Sequence, residues 1–186
     1  MPNRAGIISV QPSESGLKER SSFADTHGMA TVFLSLGSNL GDRQAQLREA
    51  IRRLEPLGRV ISVSSFYETE PVEVTDQPWF LNCAVALETN DAPQQLMAEI
   101  LDIEKQMGRK RVQNKGPRSI DLDILLFEDR VIESPGLNIP HPAMQERRFV
   151  LEPLAEIAPA AWHPVLRKNV RELLDALPVG PAVRKI

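Results

Sequence analysis

The chain has 186 residues, 42% of them hydrophobic, which suits one domain with a substantial core. A formal net charge of -3 excludes the strongly basic footprint of a general nucleic-acid binder. The single cysteine, Cys83, excludes an intrachain disulfide and suits a reducing compartment, and no apolar run approaches the ~18 residues of a membrane-spanning helix.

Residues 1–28 carry Pro2, Pro12, Ser13, Ser15, Ser21 and Ser22 with charges of both signs and no sustained hydrophobic period, so they are expected as a disordered N-terminal tail. Ile7, Ile8 and Val10 are too short a run for a signal-peptide core, and Glu14, Glu19 and Asp25 spoil the acid-poor composition of a transit peptide. Met29, just before the first apolar segment, is a candidate translation start. Residues 29–186 are expected as a single domain.

Residues 31–36 are apolar and β-prone and end at Gly37, which predicts a strand. After Gly41 and Asp42, the spacing of Leu47, Ile51 and Leu54 predicts an amphipathic helix closing near Gly58. Residues 60–67 alternate as one strand, and residues 81–89 form another. Asp91 is the expected N-cap of a second helix with Pro93 in its first turn, a stripe of Leu96, Ile100, Ile103 and Met107, and Gly108 as its stop. Residues 120–127 read as a mostly apolar strand, followed by a turn at residues 128–130 and a short return strand at Val131 and Ile132. Helices are expected over residues 143–157 and 170–177, the last capped by Asn169. The order is that of an α+β fold with a ferredoxin-like β-α-β-β-α-β core, C-terminal additions, and helices packed on a mainly antiparallel sheet. Two connections, the acidic residues 68–80 and the basic residues 109–119, are long for a compact domain and are expected to close over one site.

Asp121 and Asp123 sit inside an apolar strand, where charge is unwelcome, and alternation puts both on one face. At a carboxylate separation of ~5 Å and an effective dielectric of ~20 their repulsion is about 3 kcal/mol. A divalent cation offsets it, and an oxygen-only donor set favours magnesium. A bare D-x-D reads better as two solvated acids at an exposed strand end or as two acids paired with arginine, but this pair directly follows Gly116-Pro117-Arg118, which points to a polyanion between loop and strand. The neighbouring Arg109, Lys110, Arg111, Lys115 and Arg118 can serve phosphate or be an ordinary solvated loop. His141, fixed between Pro140 and Pro142, and Arg147 could hold a further phosphate or be structural. Gly37-Ser38-Asn39 matches neither Walker A nor G-x-G-x-x-G and reads as a simple turn. Asn82 beside Phe80 suits the edge and face of a flat heterocycle, with plain strand packing equally open. Cys83 reads as core, and His27 and His163 receive no role.

Residues 116–124, Gly116-Pro117-Arg118-Ser119-Ile120-Asp121-Leu122-Asp123-Ile124, closely resemble the signature of the 6-hydroxymethyl-7,8-dihydropterin pyrophosphokinases. Further matches follow in the same order: residues 36–42 (LGSNLGD), 64–69 (SSFYET), 76–78 (DQP), 80–82 (FLN), Pro140-His141-Pro142, and Arg147 with Phe149-Val150-Leu151. The resemblance spans roughly residues 31–162. It implies a cytoplasmic, ferredoxin-like monomer that moves pyrophosphate from ATP to the 6-hydroxymethyl group of 6-hydroxymethyl-7,8-dihydropterin in folate biosynthesis, with no nucleic-acid or membrane partner. By resemblance, Asp121 and Asp123 bind two magnesium ions and, with Arg109 and Arg118, form the catalytic set. Arg109, Arg118, His141 and Arg147 would contact the triphosphate, and adenine would meet strand backbone near Ile124. Thr69, Val72 and Asn82 would hold the pterin edge, and Phe80 and Phe149 would sandwich its ring. The chain departs from the family pattern at Lys115, where tryptophan is usual, at Glu70, which replaces a common proline, at Arg148, and in a basic loop about one residue short. A ferredoxin-like RNA reader would instead carry aromatics on its central strands, whereas this chain carries acids there and is 5% aromatic.

Overall fold

The computed structural model describes residues 28–72, 76–109 and 116–186. The expected tail therefore lies, apart from Gly28, outside the described residues, as do Lys110, Arg111 and Lys115 of the basic loop.

Strand β1 (Ala30–Ser38) buries Val32, Leu34 and Leu36 by alternation and runs through Gly37, past its expected end. Helix α1 (Arg43–Leu54) starts where the Asp42 carboxylate accepts the Ala45 N–H at 3.0 Å, and it buries Leu47, Ala50 and Leu54. The single strand expected over residues 60–67 is two, β2 (Arg59–Val63) and β3 (Tyr67–Thr69). Ser64 causes the break: its hydroxyl accepts the Ala84 N–H at 2.9 Å and donates to the Ser65 carbonyl at 2.8 Å, so a side chain replaces a ladder partner.

Strand β4 (Phe80–Thr89) and helix α2 (Pro93–Gln106) follow. The N-cap of α2 is Ala92 rather than Asp91, and it makes no side-chain capping bond. Instead, the Thr89 hydroxyl accepts the Asp91 N–H at 3.1 Å, which holds the approach to the helix. Gly108, at φ +82°, stops the chain after α2 as expected. Strand β5 (Asp121–Phe127) leads to a hairpin of β6 (Ile132–Ser134) and β7 (Leu137–Ile139), which stands apart from the main sheet. The helix expected over residues 143–157 is a 3-10 turn at Met144–Glu146 and then α3 (Arg148–Ile157), separated by the extended backbone of Arg147. A second hairpin, β8 (Trp162–His163) and β9 (Lys168–Asn169), precedes α4 (Val170–Asp175), where Asn169 and Glu172 form a capping box. Strand β10 (Val183–Lys185) ends the described chain and was not expected.

The main sheet is six-stranded, in the order β10-β3-β4-β1-β5, with β2 pairing β4. Every pairing in it is antiparallel. Leu34, Leu36, Cys83, Val85, Leu122 and Ile124 face α1 and α2 and form one core. On the other face Ala84 and Leu125 pack with Val150, Leu151 and Leu154 of α3 and Leu173 and Leu174 of α4. Two apolar layers thus enclose a sheet whose second face is only part covered, and the polar residues of β1, β4 and β5 gather there. No helix among the described residues is long and apolar enough to cross a membrane.

Candidate active site

Asp121 and Asp123 open β5 and pair in register with Gly37 and Ser35 of β1. Leu122 and Ile124, between and after them, point into the α1/α2 core, so the two carboxylates share the α3 face, as alternation predicts. Arg109 and Arg118 reach Asp121 from two sides: Arg109 Nη1 lies 2.5 Å from Oδ1, and Arg118 pairs with Oδ2. Arginine pairing, one of the readings left open by the sequence, is therefore present at Asp121.

Asp123 differs. Burial pushes its carboxyl up to about 7, and the negative charges of Asp121 and Glu104 act the same way against Arg147 and Arg109. Burial and the neighbouring acids disfavour the charged form of Asp123, and a divalent cation at this carboxyl would favour it. Among the described residues no group of three or more His, Cys, Asp or Glu side chains is placed to enclose a metal. Two carboxylates alone fit a magnesium ion whose remaining ligands are phosphate and water oxygens.

Glu104 of α2 was missed by the sequence reading. It is 2% exposed, accepts the Leu122 N–H at 2.8 Å, and pairs with Arg109. Burial raises its pKa, with the Leu122 N–H and Arg109 opposing. A signal existed: Glu104 falls four residues after Ile100, on the buried stripe of α2, where an unpaired acid is untenable.

His141 follows the cis Ile139-Pro140 bond. Its backbone N–H donates to the Leu125 carbonyl at 2.9 Å, and Nδ1 accepts the Ala143 N–H at 3.2 Å. Burial, then the charge of Arg147, lowers its pKa. The Arg147 guanidinium lies 5.8 Å from the centre of the Phe149 ring. Ile124 is buried on the far face, so only its backbone can meet a ligand, and β5 is the last strand of the sheet order.

On β4, Asn82 is 4% exposed and donates to the Thr69 hydroxyl at 2.6 Å. Thr69 pairs with Phe80 in register, so Thr69, Phe80 and Asn82 share the face of Asp121. Gly37 lies between them, and a Cβ there would stand 2.6 Å from Asn82 Oδ1. Val72 is 52% exposed and is not gathered into the buried Asn82–Thr69 pair.

The simple turn expected at Gly37-Ser38-Asn39 is not there: Gly37 and Ser38 end β1, paired with Asn82 and Leu81, and Asn39 follows the strand. Asn39 is 2% exposed; its Nδ2 donates to Gln77 Oε1 and to the Pro78 carbonyl, both at 3.1 Å. Its Oδ1 accepts the Arg118 N–H at 2.8 Å, and its own N–H donates to the Arg118 carbonyl at 3.2 Å. One amide thus ties the acidic connection to the basic one.

Residues 33–159 match a family model described as 7,8-dihydro-6-hydroxymethylpterin-pyrophosphokinase. The chain is 42% identical to the 2-amino-4-hydroxy-6-hydroxymethyldihydropteridine pyrophosphokinase of Aquifex aeolicus, over 77% of this chain and 90% of that protein. The enzyme of the same name from Pseudomonas aeruginosa is 43% identical, over 79% of this chain and 91% of its own length. Folic acid synthesis protein fol1 of Schizosaccharomyces pombe is 47% identical, but the chain spans only 20% of that longer protein. A crystal structure of Plasmodium falciparum HPPK-DHPS with pterin and p-hydrobenzoate shares the fold at a TM-score of 0.63 and 19% identity, over 82% of this chain and 45% of that one.

Proposed function

The chain belongs to the 7,8-dihydro-6-hydroxymethylpterin-pyrophosphokinase family, and on that premise we propose how its own residues carry the reaction. The enzyme transfers pyrophosphate from ATP to the hydroxymethyl group of 6-hydroxymethyl-7,8-dihydropterin, a step of folate biosynthesis. Asp121 and Asp123 would hold two magnesium ions, which would supply positive charge against the phosphates and lower the pKa of the attacking hydroxyl. Arg109, Arg118 and Arg147 fork onto the triphosphate, with neutral His141 as a hydrogen-bonding partner. Adenine meets the β5 backbone near Ile124. Asn82, Thr69 and Val72 read the pterin edge, and Phe80 and Phe149 take its two faces.

The hydroxymethyl oxygen attacks the β-phosphorus in line and AMP leaves. No protein nucleophile is required, because positioning and electrostatics lower the barrier. Cys83 is buried in the α1/α2 core and burial pushes its thiol up to about 12, consistent with packing.

The strand order β5-β1-β4 followed by β3 and β2 supports reading the core as ferredoxin-like. We take residues 29–186 as one pyrophosphokinase domain acting as a monomer, and the lone buried cysteine supports a reducing, cytoplasmic setting.

The observation that carries the assignment is the pair of carboxylates on one face of β5, set among three guanidinium groups. Incubation with ATP, magnesium and the pterin should release AMP rather than ADP. Asp123→Ala should nearly abolish that release while circular dichroism stays unchanged. A folded Asp123→Ala protein turning over at near wild-type rate refutes the metal assignment.

A further inference from the structure

Strand β10 lies outside the residues matched to the family, 33–159, yet it lengthens the sheet beside the proposed pterin pocket. Its ladder sets Val183 against Thr69, Arg184 against Glu68 and Lys185 against Tyr67. Two backbone bonds, Glu70 N–H to the Ala182 carbonyl and Ile186 N–H to the Phe66 carbonyl, both at 3.0 Å, extend that grip beyond β3 at each end. The Ala182 N–H also donates to Glu70 Oε2 at 3.3 Å.

Alternation divides the strand between the two faces of the sheet. Val183 stands beside Thr69 on the Asn82 face, while Lys185 Nζ meets Glu156 Oε1 at 3.1 Å, the acid whose other oxygen accepts the Tyr67 hydroxyl at 2.6 Å. Arg184 points to the opposite face, where its guanidinium carbon lies 5.2 Å from the centre of the Trp79 ring. The same tryptophan is held by its backbone. Arg43 Nη1 donates to the Trp79 carbonyl at 2.9 Å, while Arg43 Nη2 pairs with Glu68 at 2.8 Å. Trp79 directly precedes Phe80, and Phe80 pairs with Thr69.

We propose that residues 182–186 are a strap that positions the pterin-side connection, with Arg184 acting through Trp79 as a positioning residue. The inference rests on the reading that Thr69, Phe80 and Asn82 take the pterin. A three-residue strand such as β3 is weakly held by one neighbour, and β10 supplies the second. Stacking of Arg184 limits rotation of the indole, and through the shared backbone it limits the swing of the Phe80 ring.

The test uses the full chain and steady-state kinetics with each substrate varied. Arg184→Ala should raise the pterin KM about two- to fivefold, with kcat and the ATP KM within about twofold. Arg184→Lys, which keeps a cation over the ring, should recover part of the loss. Trp79→Ala should match Arg184→Ala, and the double variant should add little further, because both remove one contact. Asn82→Ala tests the pterin pocket independently of the strap. If it raises the pterin KM while Arg184→Ala does not, or if Arg184→Ala shifts both KM values equally, the strap is overturned and the pterin assignment stands. If Asn82→Ala leaves the pterin KM unchanged, the assignment fails and takes the strap with it.

Discussion

Replacing Asn39 by alanine tests how strongly the two substrate-side connections depend on one buried amide. The change removes three side-chain hydrogen bonds, two donated to Gln77 and Pro78 at 3.1 Å and one accepted from the Arg118 N–H at 2.8 Å. At about 0.5–1.5 kcal/mol net per bond, the loss is about 2–4 kcal/mol. For a domain of this size that lowers Tm by about 5–15 °C, readable by calorimetry or a dye-based melt. Kinetics should show both KM values rising, since each connection loses an anchor. Asn39→Asp keeps the acceptor for Arg118 and loses the donors, so it should raise the pterin KM more than the ATP KM. An Asn39→Ala protein with Tm within about 2 °C of wild type and unaltered KM values would show that neither connection relies on Asn39.

Gly37→Ala should raise the pterin KM about tenfold or more with the fold intact, because its Cβ would press on Asn82 Oδ1 at 2.6 Å; a crystal structure showing Asn82 unmoved would contradict this. Glu104→Ala should cost about 3–5 kcal/mol in urea unfolding, since it strips Arg109 of a buried partner and leaves the Leu122 N–H unsatisfied. Burial works against charge on Glu156, but hydrogen bonds from Tyr67, Ser65 and Lys185 outweigh it and hold the carboxyl down from 4.5 to about 2. Because the folded pKa is depressed, this stabilisation is full above pH 4.5 and is lost as pH falls toward 2; Glu156→Gln should flatten the fall in urea midpoint across that window. Asp121→Asn should abolish magnesium-dependent turnover yet tighten ATP binding measured by calorimetry in EDTA, and weaker binding there would count against the arginine assignment.

Most of the sheet was legible because its strands are buried on alternate or both faces, and residues 31–36 and 81–89 carry that pattern plainly. The Asp121–Asp123 pair was legible because charge in an apolar strand conflicts with everything around it. What escaped was decided by single polar contacts across long sequence separations. Ser64 breaks a good alternating strand because its hydroxyl finds the Ala84 N–H, and Thr89 rather than a side-chain cap settles the approach to α2. Arg147 interrupts an otherwise helical run with an extended backbone. Strand β10 has three residues and no period of its own; it exists because β3 offers an edge. Asn39 reads as part of a simple turn, and only the packed chain gives its amide partners in both connections; Glu104 falls on the buried stripe of α2, but its partners Arg109 and the Leu122 N–H appear only once β5 is in place.

The pairing at Asp121 explains how a site can gather so much charge and still fold. Asp121, Asp123 and Glu104 are balanced by Arg109, Arg118 and Arg147, three acids against three guanidinium groups. If Arg109 and Arg118 take the triphosphate, those contacts displace their pairing with Asp121, which is released to a cation in the same event. The exchange swaps charged partners without leaving a charge uncompensated, which avoids the several kcal/mol that an orphaned buried ion costs. It also gives Glu104 a purpose that packing alone does not: sharing Arg109 between Glu104 and Asp121 keeps the guanidinium near the strand whichever partner it holds. Asn39 joins this exchange: its Oδ1 holds the Arg118 backbone in place while the Arg118 side chain pairs with Asp121.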